Sequence, residues 1–469
     1  MKKIVAALLS LLMVLTAASC SGNTQPASSG GSDEASTADG GGSDEDGGGE
    51  EVVPIRVALF TDGNDMSATQ KAVFDAFIEE YPNIHPQFEY ITSDSYGSNW
   101  NGYLMKIQTM IAGNDAPDVI ALGLEGVAMM AMNDMALPLN DFIDSHQEEL
   151  APILEAQNED LMKIFEIDGN IYSIPYEANC VVTHINKDIF EEAGIELPDY
   201  DWTWEEFVEI CEQIKNSGLD VYPFACTSNF FAYQALMYCN GASPLNEDWT
   251  ASAINSPESI KVAQFFQDAI FKNDYAPEPS ETITDTELMI QERVAMTWTG
   301  RWVSDDYNSS EFYDKVYVNT LPNGGGGNTS CAGDAGFVVL KDTKYPEEAM
   351  TVATWCAGET YARTFMSTGS LPANFTAGAE ICAADRTIDN WEVMYEIYDN
   401  GDWKRSCDPP EYTELADIYS DMLSIIYSNQ ATAEEALNDA NDQINEVFAN
   451  SDYRDTPEEL AFIEAIYKR

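Results

Sequence analysis

The chain reads as an α/β protein of two lobes, each a sheet flanked by helices, with a helical C-terminal part. Three features of the sequence predict this. Short apolar runs of strand length alternate with segments whose apolar residues recur at helical spacing. Proline and glycine punctuate the chain where periodic segments meet, at Pro175, at Pro322 with the run Gly324 to Gly327, and at Pro372. The final stretch is helix upon helix, including Ala433 to Phe448. No self-similarity with a period of about 20 to 50 residues appears, which excludes solenoids and propellers.

The elements follow in order. Val53 to Phe60 (VPIRVALF) is a first strand, rich in β-branched residues and ending before Thr61-Asp62-Gly63-Asn64. In the helix that follows, Ser67 and Gln70 are spaced as a capping box; Val73, Phe74, Phe77, Ile78 and Tyr81 recur at helical spacing, and Pro82 stops it. Gln87 to Ile91 is a second strand, Asn101 to Ala112 a helix closed by Gly113-Asn114, and Asp118 to Leu122 a third, apolar strand. Strand, helix, strand, helix, strand at this spacing predicts a parallel sheet covered by helices. Further on, Ile171 to Ile185 is extended and Lys187 to Ala193 helical, and Thr203 to Asn216 is a helix with Thr203 and Glu206 as its capping box. Tyr222 to Cys226 is a short strand, Pro257 to Lys272 a helix capped by Ser256, and Val294 to Thr299 a strand.

Ahead of the first strand, Lys2 and Lys3 precede the apolar run Ile4 to Leu15, and Ala17, Ala18 and Ser19 are small enough for a peptidase groove. That is the pattern of a secretory signal over residues 1–19, well short of the roughly 20 apolar residues that span a bilayer. A membrane anchor helix with a stalk is the alternative. Residues 21–51 are Gly, Ser, Ala, Asp and Glu almost throughout, too polar to offset the entropy of ordering. As a Gly/Ser coil this tether reaches on the order of 30 Å.

The net charge of −59, with only 22 Lys and Arg against 81 Asp and Glu, excludes nucleic acid as a partner, because phosphate binding needs clustered cations. Cys180, Cys211, Cys226, Cys239, Cys331, Cys356, Cys382 and Cys407 form no CxxC pair and read as small buried hydrophobes, with one or two disulfides left open. His85, His146 and His184 are scattered without zinc-ligand spacing, so no metal is expected.

Several stretches taken in order resemble the extracellular solute-binding proteins of ATP-binding-cassette importers, in the sugar-binding, maltose-binding-protein-like group. They are AGNDAPDVIAL (112–122), DGNIYSIPYEANCVVTHINKDIFEEAGIELP (168–198), DWTWEEFVEICEQIK (201–215), VAMTWTGRWV (294–303), DAGFVVLKDTKYPEEAMTVATWC (334–356) and STGSLPAN (367–374). The resemblance implies a periplasmic-binding-protein-like fold, two lobes joined by crossing segments with a ligand gripped between them. The crossings fall near Tyr176 to Ala178, Thr320 to Asn323 and Ser370 to Asn374. That divides the chain into a lobe of residues 52–176 and 323–370 and a lobe of residues 177–322 and 371–469. The ending Ala-Ala-Ser-Cys resembles a bacterial lipobox, which makes Cys20 a lipid anchor at the head of the tether of residues 20–51, on the outer face of the cell membrane.

A sugar site needs aromatic platforms for ring faces and planar acceptors or amides for vicinal hydroxyls. Trp302 stands where the family has a sugar-stacking tryptophan, just past the strand; Trp298, four residues earlier inside it, is a core residue. Arg301 can donate a fork to ligand oxygens or pair with one of the many carboxylates. Tyr176, Glu177 and Asn179 lie on or just past the first crossing, with Asn179 aligned to a family carboxylate and so changing the hydrogen-bond demand. Glu125 aligns with a hydroxyl-binding aspartate, while the aromatic platform of that loop is replaced by Leu122, which speaks against maltose itself. Asp62 and Asn64 after the first strand, Phe231 before a helix Ala232 to Cys239, and Tyr412 complete the candidates. The resemblance implies a monomeric receptor without catalytic residues or cofactor that binds a neutral mono- or oligosaccharide and delivers it to an ABC permease. The rival is a surface lipoprotein glycoside hydrolase, whose two carboxylates about 5 to 9 Å apart would arise by chance among so many acids.

Overall fold

In the computed structural model, sheet-forming strands and the helices between them account for most of the chain. Residues 52–60, 67–91, 100–280, 283–310, 312, 314–366, 369–385 and 388–467 are described. Cys20, Asp62, Asn64 and the signal and tether segments lie outside the described residues.

The strands are β1 (Val53–Phe60), β2 (Ile84–Ile91), β3 (Val119–Gly123), β4 (Glu166–Ile167), β5 (Asn170–Ile171), β6 (Pro175–Cys180), β7 (Val182–Asn186), β8 (Tyr222–Phe224), β9 (Val294–Thr299), β10 (Val316–Asn319), β11 (Ser330–Val339), β12 (Ile388–Asp389) and β13 (Trp403–Arg405). One sheet runs β13-β11-β3-β1-β2, with β6 also paired to β11; a second runs β12-β10-β7-β9-β8. As the strand and helix alternation predicts, β1 is parallel to both β2 and β3. The sheets as wholes are mixed, however, because β11 is antiparallel to β3 and β7 is antiparallel to β9 and β10. The physical reason is that β11 enters its sheet from the other sheet rather than from a crossover helix, so it runs in the opposite sense.

Both faces of β1 and β3 are buried. Val57, Leu59, Val119 and Ala121 pack with Phe77, Trp355 and Tyr361 on one face, while Ala58, Ile120 and Leu122 pack with Tyr103 and Ile107 on the other. Such two-sided burial explains why these strands are almost wholly apolar. In the second sheet Trp298 is fully buried among Phe207, Phe224 and Phe266, with ring centroids 5.2 to 5.7 Å apart. It is a core residue.

Local signals written in the sequence hold where they are local. Thr203 accepts from the Glu206 amide at 3.2 Å while the Glu206 carboxylate accepts from the Thr203 amide at 2.7 Å. Ser256 caps the helix Pro257–Phe271. The Gln70 amide donates to the Phe88 carbonyl at 2.7 Å, tying the helix Ser67–Glu80 to β2. The eight cysteines from Cys180 to Cys407 are all buried and free.

The chain passes between the two sheets from β6 to β7, from β10 to β11, from β11 to β12 and from β12 to β13, and the first three of these segments lie side by side. The first is β6 running into β7, with the change of sheet at Val181. Ser330, at the start of β11, brackets that residue by accepting from its amide at 3.0 Å and donating to its carbonyl at 2.7 Å. On the other edge of β6, the Ala178 amide donates to Leu371 at 2.8 Å and the Ala373 amide to Tyr176 at 3.0 Å. The glycine run of the second segment serves close packing. A Cβ on Gly324 would stand 1.9 Å from Asn240 Oδ1, and one on Gly326 would stand 2.0 Å from the Tyr238 carbonyl.

Candidate functional site

β9 ends at Thr299, and after Gly300 the chain enters the single 3-10 turn Arg301–Val303 that carries Trp302. The indole is partly buried and packs against both of the largest buried clusters among the described residues. Its ring lies 6.1 Å from that of Phe231, tilted by 57°. Phe231 was expected ahead of its helix but sits in the first turn of it: the helix runs Phe230–Cys239, and Asn229 caps it by accepting from the Phe231 amide at 2.9 Å. The capping residue begins the helix two positions earlier than the apolar run alone suggests.

Phe231 lies over β11, where a Cβ on Gly333 would meet its Cζ at 2.7 Å. Across the ladder from Gly333 is Asn179 of β6. The Asn179 amide donates to the Glu177 carboxylate, and its Oδ1 accepts from the Leu371 amide at 3.2 Å. Burial pushes the Glu177 carboxyl above its ordinary pKa, against the opposing pull of hydrogen bonds from Ser370, Tyr176 and Asn179. Glu177, Asn179, Phe231 and Trp302 are thus gathered where the first two crossing segments run together. This grouping sets aromatic surface beside an acceptor and an amide.

The other candidates divide. Glu125, in the first turn of the helix Leu124–Met132, and Tyr412, at the start of the helix Tyr412–Tyr427, are half-buried and face one another closely enough that Glu125 helps burial raise the tyrosine's pKa. Tyr412 also neighbours Cys331, which lies two residues before Gly333 and accepts from Gln234 of the Phe231 helix at 3.5 Å. Tyr176 turns the other way. Its ring is in the core against Phe337 at 4.8 Å and Tyr361 at 5.8 Å, because alternate residues of a strand face opposite sides. Arg301 is 2% exposed, and its side chain pairs with Asp385 at 2.8 Å while donating to the Gly369 and Ser370 carbonyls at 2.7 and 2.9 Å. Of its two readings, pairing with a carboxylate is the one observed. Ser370, Gly300 and Gly333 were not among the expected residues; isolated glycines inside strand-like stretches were the available signal for the latter two.

Known proteins and solved structures are similar to this chain. The family model described as bacterial extracellular solute-binding protein matches residues 61–363. A putative binding protein of Brucella abortus is 25% identical over 376 residues, covering 78% of this chain and 86% of that protein. The maltodextrin-binding protein of Bacillus subtilis is 22% identical over 299 residues, covering 62% of this chain and 69% of that protein. An ABC substrate-binding protein of Listeria monocytogenes, solved in complex with cycloalternan, superposes with a TM-score of 0.74 at 24% identity, over 86% of this chain and 100% of that one. The fold is the two-lobed periplasmic-binding-protein fold. With well over half of its residues matched by that model, the chain belongs to the bacterial extracellular solute-binding protein family.

Proposed function

We propose that this protein is a lipid-anchored receptor that captures a neutral mono- or oligosaccharide between its lobes and delivers it to the membrane subunits of an ABC importer. The observation that carries the reading is the pairing of Trp302 and Phe231 beside Glu177 and Asn179 on the crossing strands. Sugar rings offer apolar faces to such aromatic surface and hydroxyls to such polar groups. The consumption of Arg301 by Asp385 and backbone carbonyls favours a neutral ligand over a phosphorylated or uronic one. Relatives named for arabinooligosaccharides, maltodextrins and multiple sugars support the ligand class.

Capture works by closure. A ligand that touches both lobes only when they are shut binds that state better and shifts the population toward it. Cys20 anchors the chain by its lipobox, residues 21–51 tether it, and ATP is hydrolysed by another polypeptide. The receptor works as a monomer on the outer face of the membrane and needs no catalytic group or cofactor.

The test is a thermal-shift panel of neutral sugars on the purified full chain. A ligand at 100 times its dissociation constant stabilises the protein by about 2.7 kcal/mol, a readily measured rise in melting temperature. A panel in which no sugar raises that temperature while one is steadily hydrolysed would overturn the reading in favour of a hydrolase. Replacing Cys20 by serine should release the protein from the membrane fraction into the medium.

A further inference from the structure

We propose that Arg301 is a positioning residue for ligand capture: its guanidinium pins the third crossing segment to the Trp302 turn, so that Leu371 meets Asn179 and Trp302 stands where the crossing strands can present it. The inference rests on the reading that Trp302 and Glu177 belong to one ligand site.

The geometry is a set of three anchors. Arg301 Nη1 donates to the Gly369 carbonyl at 2.7 Å and to the Ser370 carbonyl at 2.9 Å. Arg301 Nη2 donates to Asp385 Oδ2 at 2.8 Å, and the two side chains are 2% and 7% exposed. The Gly369 amide donates in turn to Ser304 Oγ at 2.9 Å, just past the Trp302 turn. One residue further along, the Leu371 amide is held by Asn179 Oδ1 and its carbonyl accepts from Ala178. Residues 369–370 are therefore fastened to the turn after β9, while residue 371 is fastened to β6. The step between Ser370 and Leu371 joins the two attachments, and the Asn179 side chain that holds Leu371 also donates to Glu177.

Only arginine fits this task. Its planar fork directs several donors at fixed angles, so one side chain can hold two carbonyls and a carboxylate at once. A lysine carries the same charge but presents it as a point on a flexible stem. Asp385 keeps the guanidinium charge compensated in a place from which water is excluded. Gly369 has a φ of +78°, a conformation that favours glycine, which lets its carbonyl point at the guanidinium.

The experiment compares Arg301→Lys, Asp385→Asn, Glu177→Gln and the double variant Arg301→Lys with Glu177→Gln, all as the full chain, using whichever sugar of the panel shifts the wild type. Arg301→Lys should weaken that sugar by about 10- to 100-fold while the protein stays folded at the assay temperature. Adding Glu177→Gln should cost little more than the larger single loss, because both act on the link between Asn179 and Leu371. Two readouts need no ligand. Amide hydrogen exchange over residues 369–371 should accelerate in Arg301→Lys, and the emission of Trp302, taken as the difference from Trp302→Phe, should shift. A merely structural Arg301 would lower the melting temperature and leave the emission, the exchange at 369–371 and the affinity unchanged, which would overturn the proposal. Losses that multiply in the double variant would also overturn it. If no sugar bound the wild type, the site reading would fail by itself, and the exchange and emission would still decide whether Arg301 positions this segment.

Discussion

The six-membered ring of Trp302 rests directly on Gly300: a Cβ at that position would stand 2.0 Å from Trp302 Cζ3 and 2.8 Å from the Cys180 carbonyl. One neighbour is a side chain that can move and the other is backbone that cannot. Gly300→Ala should therefore displace the indole and strain the β6 to β7 junction together. A loss of about 1 to 3 kcal/mol is expected from such overpacking, read by urea denaturation, along with weaker sugar binding. Unchanged stability would mean that the ring does not occupy this position in solution.

Trp302→Ala should abolish the thermal shift given by any sugar that stabilises the wild type, without unfolding the protein. Phe231→Leu should act in the same direction but less strongly. An aromatic pair contributes about 0.5 to 1.5 kcal/mol beyond the area it buries, so roughly a 2- to 10-fold loss in affinity is expected. Isothermal titration of the two variants checks the ranking; equal binding by wild type and Trp302→Ala would remove Trp302 from the site.

Asp334 of β11 is 2% exposed, and neither of its carboxyl oxygens has a hydrogen-bond partner. It lies opposite Ala178, and the charged and titratable groups that act on it or feel it are Glu177 and Cys180 of β6, Cys331 of β11, Tyr398, Arg405 and Asp408. Burial, helped by the Glu177 carboxylate and opposed by Arg405, holds its pKa well above the carboxylate range. The folded protein thus keeps a proton that the unfolded chain, with a pKa of about 3.9, gives up. Stability from this group is fully present below that value and is lost as pH rises toward the folded pKa, at up to about 1.4 kcal/mol per pH unit. Asp334→Asn should melt higher than wild type at neutral pH, with the gap closing near pH 4. Parallel melting curves from pH 4 to 8 would show that Asp334 does not titrate this way.

Arg454 and Glu411 form a buried pair, 9% and 3% exposed, with bonds of 2.7 and 3.1 Å. The same guanidinium donates to the Trp249 carbonyl at 2.8 Å and covers the Phe448 ring at 3.8 Å. Arg454→Met keeps much of the stem but strands the Glu411 charge. A cost of about 3 to 5 kcal/mol follows, measurable by denaturant unfolding, and Glu411→Gln in the same background should recover part of it.

Signals confined to one turn of chain were legible. The Thr203 to Glu206 capping box and the Ser256 cap lie within three residues of their partners and formed as written. Gln70 also reaches the Phe88 carbonyl, a partner 18 residues away that no local pattern reveals. The fate of Arg301 was likewise open, since the carboxylate that claims it is 84 residues distant.

From the chain alone came the alternation of strands and helices and its punctuation by proline and glycine, because those signals act over a few residues; the order of the crossing segments and the candidacy of Trp302, Phe231, Glu177 and Asn179 came from its resemblance to the solute-binding family. The tertiary structure decided which way each of them faces. Tyr176 and Glu177 are neighbours in sequence, but the pairing of β6 with β11 and with residues 371–373 sends one ring into the core and leaves the other side chain bonded to Asn179. The same packing made the Gly324 to Gly327 run a close contact against Asn240 and Tyr238. Facing and close approach depend on partners far along the chain, and those partners are brought together only when the two sheets have formed.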